Sequence, residues 1–269
     1  MSGCNHDCSS CASAGNCSSQ IQKAQLNSKS SVKKVVAVLS GKGGVGKSFV
    51  TSLLASQLAR EGYRVGILDA DITGPSIPKA FGVKGPCEGE DNLIFPKESR
   101  TGIKIMSANL LLEHEDDPIV WRGSLLSNLV KQFYELTLWE ELEYLLIDMP
   151  PGTGDVSLTV FQTIPVDDLI IVTSPQDLVS LIVSKGLKMA KMMDINVLGV
   201  VENMSYIECP DCNKKIHIYG ESRINEFAKE MGFEVLGQLP IVPGNSEKVD
   251  AGRVEAIYLP QIEEITKKL

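Results

Sequence analysis

Residues 41–48 carry the pattern of a phosphate-binding loop, a glycine followed by four residues and then Gly-Lys-Ser. The members of the loop are Gly41, Lys42, Gly43, Gly44, Val45, Gly46, Lys47 and Ser48. Glycines let backbone N–H groups fold around an anion, and the N-terminus of a following helix adds partial positive charge. In this pattern the lysine of Gly-Lys-Ser, here Lys47, reaches the β- and γ-phosphates, and the hydroxyl of the serine, here Ser48, binds Mg²⁺. The loop therefore predicts a site for a nucleotide with Mg²⁺.

Aspartates follow two further apolar stretches that we expect to be strands. Asp69 and Asp71 come after residues 65–68, and Asp148 comes after residues 144–147. Ligands of open α/β sheets bind beyond the carboxyl ends of the strands. An apolar strand that ends in an aspartate is the Walker B arrangement, which holds Mg²⁺ directly or through a water molecule. These carboxylates are therefore expected beside the phosphate loop.

The seven cysteines indicate metal or redox chemistry, because disulfides are rare in proteins of the cytosol, where we expect this chain. Cys209 and Cys212 are separated by two residues, a spacing that makes a bidentate metal ligand, and Pro210 stiffens the turn between them. One such pair supplies half of a four-thiolate site. A second copy of the chain across a two-fold axis would supply the other half. Cys87 has no cysteine near it and is expected to be a spectator thiol.

A second group of cysteines lies in residues 1–31, a segment rich in Ser, Asn and Gln that has almost no large apolar residues. Four thiolates suit Zn²⁺ or an iron–sulfur cluster, and the ligand type alone does not decide between the two. The candidate ligands are Cys4, Cys8, Cys11 and Cys17. The alternative, a tail of unliganded thiols, would be an oxidation liability. We expect a metal- or cluster-binding segment at 1–31 and a nucleotide-binding domain at 32–269.

The order of apolar patterns predicts the elements that position these groups. Strand-length apolar runs occur at 34–39, 65–68, 103–107, 144–147, 169–173, 197–201 and 234–237. Helical spacing between them predicts helices up to residue 60 and at 122–136, 178–193, 221–231 and 262–269, with a short one at 20–26. Such β–α alternation argues for an α/β fold, a mostly parallel sheet with helices on both faces.

Charge and hydropathy exclude several function classes. The formal net charge of −8 disfavours non-specific binding to nucleic acid, which relies on a basic surface. The chain has no apolar run near the length of about 18 residues that a membrane-spanning helix needs. The N-terminus has neither the basic region nor the apolar core of a secretory signal. We therefore expect a cytoplasmic protein without nucleic-acid or membrane partners.

Lys42 points to a first family resemblance, because an ordinary phosphate loop needs only the second lysine. The form Lys-Gly-Gly-x-Gly-Lys-Ser resembles the deviant Walker (SIMIBI) P-loop ATPases, which include partitioning and division-site ATPases and the nitrogenase iron protein. The resemblance implies a homodimer that sandwiches ATP, with Lys42 crossing to the partner's nucleotide. It further implies that Asp71 orients or deprotonates the attacking water, that Asp69 supports Mg²⁺ and that Asn203 contacts adenine. A solvated charge at Lys42 and a turn role for Asn203 are the structural alternatives.

Four motifs in order resemble the Mrp/ApbC-type iron–sulfur cluster carrier ATPases from about residue 32 to the C-terminus. They are Lys-Gly-Gly-Val-Gly-Lys-Ser, Asp-Ala-Asp-Ile-Thr-Gly-Pro-Ser, Asp-Met-Pro-Pro-Gly-Thr-Gly-Asp and Cys-Pro-Asp-Cys. The resemblance implies a slow, Mg²⁺-dependent ATPase whose homodimer holds a [4Fe–4S] cluster between both pairs of Cys209 and Cys212 and transfers it to apo-proteins. The N-terminal cysteines resemble those of the family's eukaryotic cytosolic scaffold members, with a shorter spacer after Cys4. They would hold a second cluster or zinc.

Other classes remain open. A ParA/MinD-like switch ATPase could use a structural zinc shared by Cys8, Cys11, Cys209 and Cys212. An electron-transferring ATPase like the nitrogenase iron protein would be expected to carry its cluster cysteines on other loops, and none lies beside residues 148–151. Metal analysis distinguishes the zinc and cluster readings.

Overall fold

A sheet of nine strands lies at the centre of the computed structural model, which describes residues 23–72, 74–111, 124–175 and 179–269. In chain order the strands are β1 (Ser31–Ser40), β2 (Val65–Asp69), β3 (Gly89–Glu90), β4 (Leu93–Ile94), β5 (Lys97–Glu98), β6 (Lys104–Ser107), β7 (Glu141–Asp148), β8 (Asp168–Thr173), β9 (Asn196–Glu208), β10 (Lys215–Ile216) and β11 (Val235–Pro240). Strands β3 and β4 form a separate hairpin.

Eight α-helices are found in the same described ranges. They are α1 (Lys47–Arg60), α2 (Ile77–Phe81), α3 (Ser124–Leu136), α4 (Asp155–Thr163), α5 (Val179–Met192), α6 (Ile224–Met231), α7 (Asn245–Asp250) and α8 (Pro260–Thr266). Two short 3₁₀ helices occupy Ala108–Leu111 and Val254–Ala256. None of the described helices is long and apolar enough to cross a membrane.

The strand order is β10-β9-β8-β1-β7-β2-β6-β5. Strand β11 also pairs with β9, on the edge opposite β8. Within this sheet all pairings are parallel except those of the short strands β5 and β10. The predicted mostly parallel sheet is confirmed. Because parallel strands all end at the same edge, the carboxyl ends of β1, β2 and β7 meet there. In this register Asp148 lies opposite Val38 on one side and Asp69 on the other.

Apolar side chains cover the sheet on both faces, as predicted. Along β1, Val36 and Val38 belong to one apolar cluster, which also includes α1, α2 and α8. Ala37 and Leu39 belong to the other, which also includes described parts of α3, α4 and α5. This burial on both faces explains why the central strands appear in the sequence as continuous apolar runs.

Residues 23–30 pack against the ends of two helices. Ala24 is buried and its N–H donates to Thr163 O, 2.6 Å away, at the end of α4. Asn27 Nδ2 donates to Glu135 O at 3.1 Å and to Thr137 O at 2.8 Å, at the end of α3. The last carbonyls of a helix have no partner within it, and these contacts satisfy them. The helix predicted at 20–26 is wrong for its described part, since residues 23–26 have no helical structure and Ala24 N–H bonds to α4 instead.

Strand β9 is the largest departure from prediction. We expected it to end at residue 201, but it continues to Glu208. Asn203, predicted in the loop after the strand, lies inside it. The division between a cysteine-rich segment and the nucleotide-binding domain stays a prediction, because residues 1–22 lie outside the described ranges.

Replacing Asn27 with alanine tests whether the stretch before β1 stabilises the domain. Asn27→Ala removes two hydrogen bonds to carbonyls at the end of α3, and we expect it to lower the free energy of unfolding by about 1–2 kcal/mol. Urea unfolding of the nucleotide-free protein measures the change. Gln25→Ala, at an exposed position in the same stretch, is the control. Equal stability of the two variants would show that Asn27 does not secure this stretch.

Candidate functional site

The phosphate loop joins the carboxyl end of β1 to the N-terminus of α1, the strand–loop–helix context that its motif requires. Gly44 and Gly46 have φ angles of 81° and 79°, in the left-handed region that glycine adopts without steric cost. Ser40 Oγ donates to Lys42 O at 3.0 Å and so ties the two ends of the first turn. The helix N-terminus and the loop N–H groups together can bind an anion.

Asp148 is the centre of the hydrogen bonds around the loop. Lys47 Nζ donates to Asp148 Oδ2 at 2.6 Å, Ser48 Oγ donates to the same oxygen, and Thr51 Oγ1 donates to Oδ1 at 2.8 Å. Asp148 is fully buried and Lys47 is only 6% exposed. A buried carboxylate needs such compensation, and one cation with two hydroxyls provides it. The predicted phosphate ligand and the predicted Mg²⁺ ligand therefore share one carboxylate partner.

Thr51 is a site residue that our sequence analysis missed. It lies one helical turn after Lys47, so it faces the same side of α1 and its hydroxyl also donates to Lys47 O at 3.1 Å. The i, i+4 spacing from the loop lysine was the available signal. Asp148 was expected beside the loop, but its bond to Thr51 depends on the register of β7 against β1.

Asp69 lies beside Asp148 at the end of β2 and is fully buried. Its Oδ1 accepts the N–H of Asp71 at 3.1 Å, and its Oδ2 accepts Ser107 Oγ at 3.2 Å. Burial, followed by the negative charge of Asp148, raises the pKa of Asp69 well above its usual range, although nearby Lys47 acts in the opposite direction. Asp71 Oδ2 lies 3.8 Å from Lys47 Nζ. The predicted carboxylates are thus brought together beside the loop lysine.

Two adjoining cavities lie over the loop. The first, of about 280 Å³, is lined among others by Gly44, Lys47, Ser48, Asp71 and Pro151. The second, of about 480 Å³, is lined among others by Phe49, Asn203, Met204, Tyr219 and Val242. Gly46, Phe49 and Val249 border both. The first cavity therefore holds the loop glycines together with Lys47 and Asp71, and the second extends from the loop along β9.

Asn203, in strand β9, supports the phosphate loop. Its Nδ2 donates to Val45 O at 2.9 Å, and the side chain is buried. A Cβ atom on Gly46 would lie 2.3 Å from Asn203 Nδ2, so the glycine is needed for this close approach. Asn203 also borders the larger cavity, but its contact with adenine stays a prediction.

Cys209 and Cys212 lie in the tight turn between β9 and β10. The turn is closed by hydrogen bonds from Cys209 N to Lys214 O at 3.0 Å and from Asn213 N to Cys209 O at 2.9 Å. The backbone N–H of Asp211, then that of Cys212 and the Cys212 thiol, lower the pKa of the Cys209 thiol. Cys209 is half-buried and Cys212 is exposed. The turn thus favours the thiolate form that binds metal.

The cysteine hairpin, formed by β9, β10 and the turn with Cys209 and Cys212, offers two sulfur ligands. In the described part of the chain no three His, Cys, Asp or Glu side chains form a metal-binding group, so no third ligand lies beside them. Cys87 packs against the apolar core, and burial raises the pKa of its thiol. The four predicted N-terminal ligands lie outside the described residues: Cys4, Cys8, Cys11 and Cys17.

Comparison with known proteins identifies the family. A family model described as ParA, NUBPL iron-transfer P-loop NTPase, matches residues 31–269. The chain belongs to the NUBPL iron-transfer P-loop NTPase family. The iron-sulfur cluster carrier protein of Clostridium perfringens is 47% identical over 256 residues, which cover 92% of this chain and 90% of that protein. The protein of the same name from Methanocaldococcus jannaschii is 44% identical over 261 residues, which cover 94% and 90%.

Solved structures agree with this NUBPL-type assignment. The nucleotide-binding protein of Archaeoglobus fulgidus in complex with ADP has a TM-score of 0.77 and 42% identity, covering 86% of this chain and 91% of that chain. The cell division ATPase MinD of Pyrococcus furiosus has a TM-score of 0.62 at 20% identity over 88% of this chain and 98% of that chain, which shows a shared fold. The predicted family and the P-loop α/β fold are confirmed.

Asp69→Asn tests the electrostatic cost of this NUBPL-family site. Because the pKa of Asp69 is higher in the folded than in the unfolded state, the folded state binds the proton more tightly. Stability is therefore lost as pH rises from the ordinary value of 3.8 through the raised value. Asparagine can keep both hydrogen bonds without the charge. We expect Asp69→Asn to stabilise the nucleotide-free protein at pH 7.5 and to stabilise it less at pH 4.5.

Urea unfolding at the two pH values measures this difference. Asp250→Asn is the control, because Asp250 is exposed and forms an ion pair with the exposed Lys79 at 3.5 Å. It should change stability by less than about 0.5 kcal/mol. A gain for Asp69→Asn that is equal at both pH values, or a loss at pH 7.5, would contradict the assigned pKa direction.

Proposed function

We propose that the protein binds ATP with Mg²⁺, hydrolyses it slowly and carries a [4Fe–4S] cluster that it passes to apo iron–sulfur proteins. The observation that carries the proposal is the course of β9. This strand supports the phosphate loop through Asn203 and ends at the hairpin of Cys209 and Cys212. Relatives named iron-sulfur cluster carrier protein and a related structure with bound ADP support both halves of the proposal.

The donor atoms beside the loop suit Mg²⁺. Hydroxyl and carboxylate oxygens are the hard ligands that Mg²⁺ takes, together with phosphate oxygens and water. Ser48 and Asp148 would hold the ion and Asp69 would support it from β2. The bound ion would neutralise charge on the phosphates during transfer. Two buried carboxylates and one lysine leave excess negative charge in this place, which favours a divalent cation.

The remaining loop residues then have distinct roles in hydrolysis. Lys47, now 2.6 Å from Asp148, would turn to the β- and γ-phosphates, and its position in the cavity wall allows this. Asp71 faces the same cavity and would orient or deprotonate the attacking water. Lys42 would reach the nucleotide of a second subunit and stabilise the transferring phosphoryl group. Adenine would lie in the larger cavity beside Asn203.

A homodimer completes both sites in this proposal. Two thiolates are half of the ligands that a [4Fe–4S] cluster requires, and a two-fold axis near the hairpin supplies the rest. Ile216 in β10, and Ile218 and Tyr219 just after this strand, are 48%, 49% and 47% exposed. Grouped apolar side chains at a surface are typical of interaction sites, and these would lie in or beside the dimer interface.

Cluster transfer needs exposed, reduced thiolates. Cys212 is exposed and Cys209 is only half-buried, so thiolates of an apo-protein can replace them one at a time without a change in cluster oxidation state. Reduced thiols favour a cytoplasmic location. Neither nucleic acid nor a membrane has a role in this proposal. The N-terminal cysteines would hold a second cluster or zinc.

The cysteine hairpin can be tested by anaerobic reconstitution with iron and sulfide. We expect Cys209→Ala/Cys212→Ala to lose the bridging cluster, seen as lower iron and sulfide content and lower absorption near about 400 nm, with nucleotide affinity unchanged. Cys87→Ala is the control. Serine replacement of all four N-terminal cysteines separates their share of the iron.

The alternative outcomes of this experiment are distinct. Full iron retention in the double alanine variant would rule out the hairpin as the cluster site. Stoichiometric zinc without iron in the unsubstituted protein would favour the ParA/MinD-like switch ATPase with a structural zinc site, because thiolate ligands alone do not distinguish the two metals.

Lys42 acting across a dimer can be tested by mixing two inactive proteins. Lys42→Ala should still bind ATP but hydrolyse it roughly 10³-fold more slowly, the scale of an arginine finger. Lys47→Ala should fail to bind phosphate. In mixed dimers, the intact loop of the first variant receives Lys42 from the second, so an equal mixture should recover roughly one quarter of the wild-type rate.

The exposed Lys84→Ala is the control for loss of a surface charge. No recovery in the mixture, with dimers verified by sedimentation, would place Lys42 in the site of its own subunit. Wild-type turnover by Lys42→Ala alone would remove it from catalysis altogether.

A further inference from the structure

Strand β9 contains a β-bulge between the nucleotide cavity and the cysteine hairpin. From Glu202 to Tyr206 the strand advances four residues, while its neighbour β11 advances two, from Gln238 to Pro240. Met204, inside the bulge, has a φ angle of 59°, in the left-handed region that non-glycine residues rarely adopt. Bulges next to functional sites redirect side chains. The strain at Met204 persists only if surrounding contacts hold it.

Glu202 provides those contacts from a buried position that is 1% exposed. Its Oε2 accepts Ser205 Oγ at 2.6 Å and Gln238 Nε2 at 2.7 Å. Its Oε1 accepts Ser222 Oγ at 2.7 Å. Among the described residues no cation forms an ion pair with Glu202. A buried carboxylate held only by neutral donors is costly, which calls for a reason beyond stability.

The bulge links Glu202 to the nucleotide side of the molecule. Asn203, the next residue, donates to Val45 O in the phosphate loop. Met204 lines the larger cavity, and its Cε would lie 3.6 Å from a Cβ on Gly46. Regular alternation would direct Glu202 and Ser205 to opposite faces, but the bulge brings them together. Asn203 is thereby directed at the loop.

Glu202 also holds the base of the cysteine hairpin. Ser222, which donates to Glu202, lies just after the hairpin, and its Oγ accepts the N–H of Ile224 at the start of α6. Ser205 O lies 3.2 Å from Nδ1 of His217, the residue that follows β10. The segments before and after Cys209 and Cys212 are therefore both connected to Glu202, one directly through Ser222 and the other through Ser205 and His217.

We propose that Glu202 is a positioning residue that holds the bulge, and thereby couples nucleotide binding at the loop to metal binding at the cysteine hairpin. A nucleotide that shifts Val45 changes the contact with Asn203, and the bulge passes this change to the base of the hairpin. By linkage, occupancy of either site then alters the affinity of the other by the same factor. The inference rests on the proposed function in taking the hairpin as a thiolate metal site.

Cobalt binding with and without ADP tests this coupling. The full-length protein with Cys4, Cys8, Cys11 and Cys17 changed to serine leaves the hairpin pair as its Co²⁺ site, observed by the thiolate-to-cobalt absorption band. In this background we expect ADP to change the Co²⁺ dissociation constant by roughly fivefold or more. Glu202→Ala should bring this ratio close to one. It should also weaken binding of a fluorescent ADP analogue by about tenfold, because the support of Asn203 is lost.

Glu202→Gln is the conservative variant that a positioning role predicts to rescue coupling. Its amide oxygen can accept Ser205 and Gln238, and its NH₂ can donate to the Ser222 hydroxyl. A role that required the negative charge would not be rescued. Glu226→Ala removes an exposed carboxylate near the same region and should leave the ratio unchanged. Ser222→Ala, which removes one of the three contacts, gives the same readout if Glu202→Ala does not fold.

The outcomes separate this inference from the proposed function. Absence of the cobalt band in the background protein would overturn both. A normal band with the same ADP-dependent ratio in the Glu202→Ala or Ser222→Ala variant would overturn the inference alone. A background ratio of one would also overturn it, since there would be no coupling to transmit.

Discussion

The buried contact between Lys47 and Asp148 is the interaction on which the nucleotide half of the molecule depends. It joins α1 to β7 across the end of β1, and Ser48 and Thr51 complete it from the same helix. Removal of one partner from such a pair leaves an uncompensated buried charge, at a cost of about 3–5 kcal/mol. The pairing of β1, β2 and β7 therefore tolerates no shift in register, because a slip by one residue would turn Asp148 to the other face of the sheet.

Parallel pairing explains why the nucleotide and thiolate sites lie on one edge of the fold. The strands end together, so the loop after β1 and the aspartates at the ends of β2 and β7 meet although they are distant in sequence. Strand β9 runs beyond the end of β8 by six residues, 203–208, and its bulge lies within them. Its length separates the cysteines from the phosphates, while its backbone remains one continuous connection between them.

Sequence patterns predicted the parts of the fold that local composition determines. Residues 144–147 and 169–173 are apolar throughout because both faces of their strands are buried, and the phosphate loop has its own spacing. The sequence placed Asn203 after the end of a strand and left Glu202 without a role, because their partners Val45, Ser222 and Gln238 are distant in sequence. The helix prediction failed at 23–26 for the same reason, since Ala24 bonds to the end of α4.

The buried carboxylates beside the phosphate loop and the buried carboxylate of Glu202 are compensated in opposite ways, and this difference suits their roles. Asp69 and Asp148 share one lysine, and the raised pKa of Asp69 records the repulsion and burial that remain. A site with this excess of negative charge gains from a divalent cation and can respond to its arrival. Glu202 is held by three neutral donors, and among the described residues no cation pairs with it. A fixed anchor beside a responsive site is what a strand needs if a change at the loop is to move the hairpin rather than be absorbed by the bulge.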